Sequence, residues 1–400
     1  MALFRPEAFE KLTETLWDEK RVRAAIQEIA ADAERACRPK RLWPADEWDA
    51  WRSPLPLKTL YAGAAGVVWA LHRLSARGHA DIRLDLARIL SVAYDAWRER
   101  PGVLTSLELP HPAHASLFHG ESGILLVLYG LTPQAELADS LYEQVLANVE
   151  NDANEVFWGA PGTMIAARTM LDRTDDERWA EAWKTSAERL WRLRDADGLW
   201  TQRLHGGEHR SLTPPHGATG NVAALVGGRD LLVTGRREVL ERETASVLER
   251  TTIMEGSLAN WPAWEGRDFV AGDGEIRLQW FTGAPGIVIS AADYLPEELL
   301  LAAAELTWNA GPHGLEKGPG ICHGTAGNGY ALLKTFERTG SELWLERARC
   351  FAVHALEQVV RLREQRGRGR YSLFTGDAGV ALYAADCLSG AARYPILDGL

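Results

Sequence analysis

The sequence predicts an all-α fold, an α/α toroid in which seven inner helices are ringed by seven outer ones. Three observations carry that expectation. Gly-x-x-Gly recurs at Gly63/Gly66, Gly120/Gly123, Gly159/Gly162, Gly217/Gly220, Gly283/Gly286, Gly324/Gly327 and Gly376/Gly379. The second glycine opens a short apolar run, as in Ile124–Leu131, Val222–Val226, Ile287–Leu295 and Val380–Leu388. Between the units lie stretches with apolar residues three and four apart and Arg and Glu between them, the pattern of an amphipathic helix. The spacing alone is weak: an eighth pair, Gly311/Gly314, opens no apolar run and marks the noise.

Taken in order, residues 1–55 read as the leading outer helix and loop. Gly63/Gly66 opens the first inner helix. Ile82–Trp97 precedes the second glycine pair, Glu136–Val149 the third and Glu177–Arg194 the fourth. Arg236–Thr252, Glu297–Trp308 and Ser341–Arg363 precede the remaining three. A helix that is apolar nearly all round must be covered on every side. An inner ring within an amphipathic outer ring achieves this, because each hairpin buries its neighbour. Strand signals are sparse. No Pro/Ser-rich linker or charge block divides the chain, so residues 1–400 read as one domain. If every glycine turn begins an inner helix, all of them gather at one end, with helix N-termini facing a common cavity.

Composition narrows the function classes. The 400 residues are 46% hydrophobic and 25% charged, an ordinary globular balance. Lys+Arg 44 against Asp+Glu 55 gives a net charge of -11, which argues against a nucleic-acid or anionic-membrane binder. No apolar stretch approaches the ~18 residues of a membrane span. Cys37, Cys322, Cys350 and Cys387 are too scattered for a disulfide scaffold, and the start lacks a signal-peptide pattern. These features read as cytoplasmic.

Chemistry is expected beside the turns. Turn two carries His119, turn three Glu155, turn four His216, turn five Arg277 and turn six Cys322-His323. Singly, each has a structural reading. A lone histidine before a helix is commonly a cap or packing residue. Glu155 would favour a helix dipole. Arg277 would be a surface ion pair, and Trp158 and Trp280 core rings. Cys37, Cys350 and Cys387 lie in helical stretches and read as small core residues. Only convergence on one rim changes this.

The glycine series, the string Cys322-His323-Gly324-Thr325-Ala326-Gly327-Asn328 and the closing Ser372-Leu373-Phe374 with Ala378-Gly379 resemble the LanC-like family of lanthionine synthetase cyclases and their relatives. The resemblance runs from about Leu57 onward. The tail Arg393-Tyr394-Pro395-Ile396-Leu397 is more similar to the eukaryotic-type branch. It implies the double ring of helices. It also implies a chemistry in which a zinc-bound thiolate adds to the β-carbon of a dehydroamino acid, forming a thioether. The thiol would come from glutathione, another small thiol or a peptide cysteine.

By motif position, His216 then matches the proton donor to the enolate. Glu155 matches a proton acceptor or a group that orients its neighbours, and Arg277 a stabiliser of developing negative charge. Lys317 falls where glutathione-binding relatives hold the ligand, and Arg368 or Arg370 could hold a carboxylate. Cys322 and His323 match two zinc ligands. The third ligand position holds Phe281, which cannot ligate, so zinc is expected at less than one per chain unless His119 or His216 substitutes. Two function classes follow: a C–S bond-forming enzyme, or a non-catalytic binding protein that has lost the metal. A third, a glycan hydrolase using Glu155, Glu121 or Asp377, has no pair spacing to support it.

Overall fold

In each Gly-x-x-Gly unit the first glycine stands immediately before a helix. The computed structural model describes residues 2–50, 53–102, 113–228, 230–266 and 276–400. The helices that follow the turns are α2 (Ala64–Ala76), α4 (Glu121–Leu131), α6 (Ala160–Thr174), α8 (Ala218–Gly227), α10 (Ala284–Ala291), α12 (Thr325–Thr339) and α14 (Asp377–Ser389). Alternating with them are α1 (Glu19–Ala36), α3 (Leu86–Glu99), α5 (Ala135–Ala147), α7 (Glu177–Leu193), α9 (Arg236–Thr251), α11 (Glu297–Ala310) and α13 (Glu342–Arg366). Each even-numbered helix packs on the next, and α14 returns to α2, closing the inner ring; α1 packs on α14 from outside. The protein is an α/α toroid, as the repeat predicts.

Close approach of backbone explains the glycines. A Cβ built on Gly66, Gly123, Gly162, Gly220, Gly286, Gly327 or Gly379 would lie 1.8 to 2.2 Å from the carbonyl oxygen of the residue six positions earlier. The chain folds back over the first turn of each inner helix, and no side chain fits between. Gly283 has a second reason, a φ of 110° that L-residues rarely adopt.

Backbone hydrogen bonds then join neighbouring turns into two groups at one end of the ring. They use the residue two places before each unit's first glycine. Tyr61 N–H donates to Phe118 O (3.0 Å), Phe157 to Pro215 (3.3 Å), Phe281 to Cys322 (3.1 Å) and Cys322 to Phe374 (2.8 Å). Phe374 N–H donates to Tyr61 O at 3.2 Å, so the last turn meets the first. Their rings pack inward: Tyr61 stacks on Phe374 at 5.0 Å, and Phe118 meets Phe157 at 4.8 Å. Deeper, Trp280 stacks on Tyr394 at 4.9 Å. Trp97, Trp179, Trp183, Trp200 and Trp261 are also almost wholly buried. Truncating such a ring typically costs about 3–5 kcal/mol.

Some details differ from the sequence expectation. Helix α3 begins at Leu86 rather than Ile82, because the Asp85 carboxylate accepts the Arg88 N–H and caps it there. Cys37 caps α1 from outside, and Cys350 is half-buried; Cys387 lies in α14, in the core. Two small hairpins occupy the loops before turns four and five: β1 (Gln202–Leu204) with β2 (Gly207–His209), and β3 (Ile253–Glu255) with β4 (Leu258–Asn260). The segment before α1 is also anchored. Glu10 N–H donates to Pro312 O at 2.9 Å, and its carboxylate meets His354 Nε2 at 2.6 Å. Among the described residues, no helix is long and apolar enough to cross a membrane.

Candidate functional site

The turn end of the ring encloses two joined chambers, of about 1110 Å³ and 500 Å³. His216, Phe281 and His323 line both and form the junction. The glycine turns set this arrangement. Each rim side chain stands on the tight turn leading into an inner helix, so its Cα is fixed by the packing that demands glycine.

Glu155 and His216 form the best-defined pair. Glu155 is fully buried, and its carboxylate accepts backbone N–H groups from Phe157 (3.0 Å) and Trp158 (2.5 Å). Its Oε2 also lies 2.7 Å from His216 Nδ1. A carboxylate already holding two N–H donors receives a third from the imidazole, which fixes the tautomer with the proton on Nδ1. The other nitrogen, Nε2, is then free to accept a proton on the cavity side. The Phe157 and Phe281 rings meet the imidazole edge-on at 5.1 Å and 5.2 Å and hold its plane.

Cys322 and His323 are neighbours at the junction, with Sγ and Nε2 3.9 Å apart. Two ligands of one tetrahedral zinc would stand about 3.6 Å apart. The third direction is filled: the Phe281 ring stacks on His323, centroids 4.9 Å apart. Tyr61 OH donates to Cys322 Sγ at 3.0 Å. Burial pushes the Cys322 thiol far up, so it stays protonated near neutrality, and burial pushes His323 down to about 3. His119 packs instead against Trp158 (4.6 Å) and Tyr61 (4.8 Å) and is pushed by burial to about 3. Among the described residues no group of three or more His, Cys, Asp or Glu is placed to hold a metal. The donor set therefore does not fit a three-ligand zinc site, and no step below is routed through one.

The cations divide into two kinds. Arg277 and Lys317 line the smaller chamber and form no ion pair with a described residue. Arg370 is already engaged: it forms a two-pronged pair with Asp49 at 2.8 and 2.7 Å. Thr375 Oγ1 also donates to Asp49, at 2.7 Å. Arg368 donates to Ala45 O at 2.9 Å. The loop at residues 45–50 thus crosses the rim and occupies both arginines, with Trp48 edge-on to His323 at 5.5 Å. Sequence reasoning missed this loop, and it missed Tyr61. Registering the seven turns against one another would have found Tyr61, since it precedes its first glycine by the same two places as Cys322.

The comparisons agree with this architecture. The family model described as lanthionine synthetase C-like protein matches residues 8–397. LanC-like protein GCL1 of Arabidopsis thaliana is 33% identical over 141 residues, 32% of this chain and 31% of that protein. Glutathione S-transferase LANCL1 of Danio rerio is 31% identical over 134 residues, 31% of this chain and 32% of that protein. These matches span about a third of each relative's length. The solved structure of nisin cyclase superposes with a TM-score of 0.62 at 16% identity, over 95% of this chain and 98% of that one, a likeness of fold. With a family match over almost its full length and the same toroid, the chain belongs to the lanthionine synthetase C-like family.

Proposed function

We propose that this protein adds a thiol to the β-carbon of a dehydroamino acid, using His216 and Glu155 to move the proton. The observation that carries the reading is the 2.7 Å contact between His216 Nδ1 and a buried Glu155 carboxylate, on the wall of a large chamber. With Nδ1–H held by Glu155, Nε2 accepts the proton of an incoming thiol. Glu155 stabilises the resulting imidazolium. The thiolate sulfur attacks the β-carbon, and the alkene electrons move onto the carbonyl oxygen as an enolate. His216 then returns the proton to the α-carbon, so atoms and charge balance. Arg277 and Lys317, at the other side of the junction, supply positive potential for the enolate or for a ligand carboxylate. In this reading Arg370, paired with Asp49, holds the 45–50 loop at the rim.

The thiol to test first is glutathione, named in the description of the zebrafish relative; the acceptor is a dehydroalanine peptide, the electrophile that the family resemblance implies. One observation favours the second reading, a non-catalytic binding protein. The only cysteine at the junction among the described residues is protonated and hydrogen-bonded to Tyr61, and a phenyl ring stands beside it. Mass spectrometry of glutathione with the dehydropeptide separates the two. Adduct formation above background that is lost in His216→Ala supports the enzyme. No adduct, with retained thiol binding by calorimetry, supports the binding protein.

A further inference from the structure

Lys58 is a buried cation that has no counter-ion among the described residues. It lies just ahead of the first glycine turn and is only 2% exposed. A Cβ on Gly63 would fall 2.4 Å from Lys58 N, so the turn clamps the backbone from which the side chain departs. The side chain lines the larger chamber, beside Gly102 and Trp97. A Cβ on Gly102 would stand 3.8 Å from Lys58 Nζ and 3.5 Å from the Trp97 ring, so the ammonium lies close to the Gly102 backbone. No hydrogen bond or ion pair joins it to a described residue. Burial and the charge of Arg100 both push its pKa down.

The other cations of this wall are satisfied. Arg366 pairs with Asp46 at 3.0 Å, and Arg368 donates to Ala45 O at 2.9 Å. Glu47 lines the same chamber without pairing with Lys58. Burying an unpaired charge costs stability that an apolar residue of similar length would not. The cost is recovered when something anionic enters the chamber.

We propose that Lys58 is the anion-binding residue of the larger chamber and receives a carboxylate of the substrate. The inference rests on the thiol-addition reading for which substrate that is. A thiol such as glutathione carries a carboxylate at each end with sulfur between them. Arg277 and Lys317 take one end in the smaller chamber, Lys58 takes the other, and the sulfur falls at the junction beside His216. A compact ammonium with three donors suits a small anion approached from one side.

Calorimetry on the full chain tests this with three probes: glutathione, its diethyl ester and the thiol-free dicarboxylate glutarate. Lys58→Met should weaken glutathione and glutarate about 10- to 100-fold, the range of one charge-assisted hydrogen bond, and leave the diester unchanged. The same variant should melt no lower than wild type, because an unpaired buried charge has been removed; Lys58→Gln serves as a second variant if Met does not fold. Unchanged affinity for both anions in a folded variant overturns the proposal, as does a wild type that binds neither. Lys58-dependent glutarate binding without any thiol adduct leaves the anion site standing and sinks the thiol-addition reading instead.

Discussion

The Phe281 ring lies stacked on the His323 imidazole, centroids 4.9 Å and planes 25° apart. It stands beside Cys322 through its own N–H, which donates to Cys322 O. A phenyl group thus fills the space where a third donor would complete a set with Cys322 and His323. Phe281→Cys should create that set. The expected outcome is zinc retention near one per chain after mild chelator dialysis, and thiolate-to-metal absorption on loading with cobalt. A variant that folds yet binds no more metal than wild type would show that Cys322 stays committed to Tyr61.

Glu155→Gln keeps the size and an acceptor oxygen but removes the charge that supports an imidazolium on His216. Thiol addition by this variant should fall roughly 100-fold in kcat with little change in KM, and His216→Ala should lose about as much or more. Because the two residues act as one unit, the double variant should be little worse than either single one. Additive losses would indicate separate roles.

Protonation of His313 should cost the fold stability in a defined window. His313 is 3% exposed, and burial pushes it down to about 4 from its ordinary 6.5. Between those values the unfolded chain holds the proton and the folded one does not, so stability rises with pH there and is lost as pH falls. At pH 5 this residue alone accounts for about 1–2 kcal/mol. Asp377 and Asp386, pushed up to about 6 by burial, act the opposite way between their ordinary 3.8 and 6. Urea melts at pH 7 and pH 5 isolate the histidine: His313→Phe should lose less stability over that interval than wild type. Equal losses would mean that His313 takes up its proton in the folded state.

Two glycines in the same helix should behave oppositely. A methyl group at Gly220 would lie 1.8 Å from Pro214 O, which belongs to backbone and cannot swing away. Gly220→Ala should therefore cost about 3 kcal/mol or more, if it folds. At Gly227, the last residue of α8, nothing lies within 4 Å of a built Cβ. Gly227→Ala should be neutral or stabilise by about 0.5–1 kcal/mol. Thermal melts of the pair check whether close packing, rather than chain flexibility, dictates the motif.

What the sequence by itself determined is what is local along the chain. The carbonyl that approaches Gly66, Gly123 or Gly220 comes from six residues earlier, so the steric demand is written as a glycine at fixed spacing. The outer helices are legible because their apolar faces recur every three to four residues. Once the turns begin the inner helices, the rim residues Glu155, His216, Arg277, Cys322 and His323 are placed at one end of the ring. Tertiary structure decided how those residues are used. The bonds of Tyr61 to Cys322, Asp49 to Arg370 and Glu155 to His216 join distant parts of the chain, and no spacing announces them. Whether a charge is paired is likewise a property of its surroundings. Arg370 and Lys58 are both cations a few places ahead of a glycine turn, yet one is held by a carboxylate and the other is buried with no counter-ion among the described residues, because burial and counter-ions are set by packing across the ring.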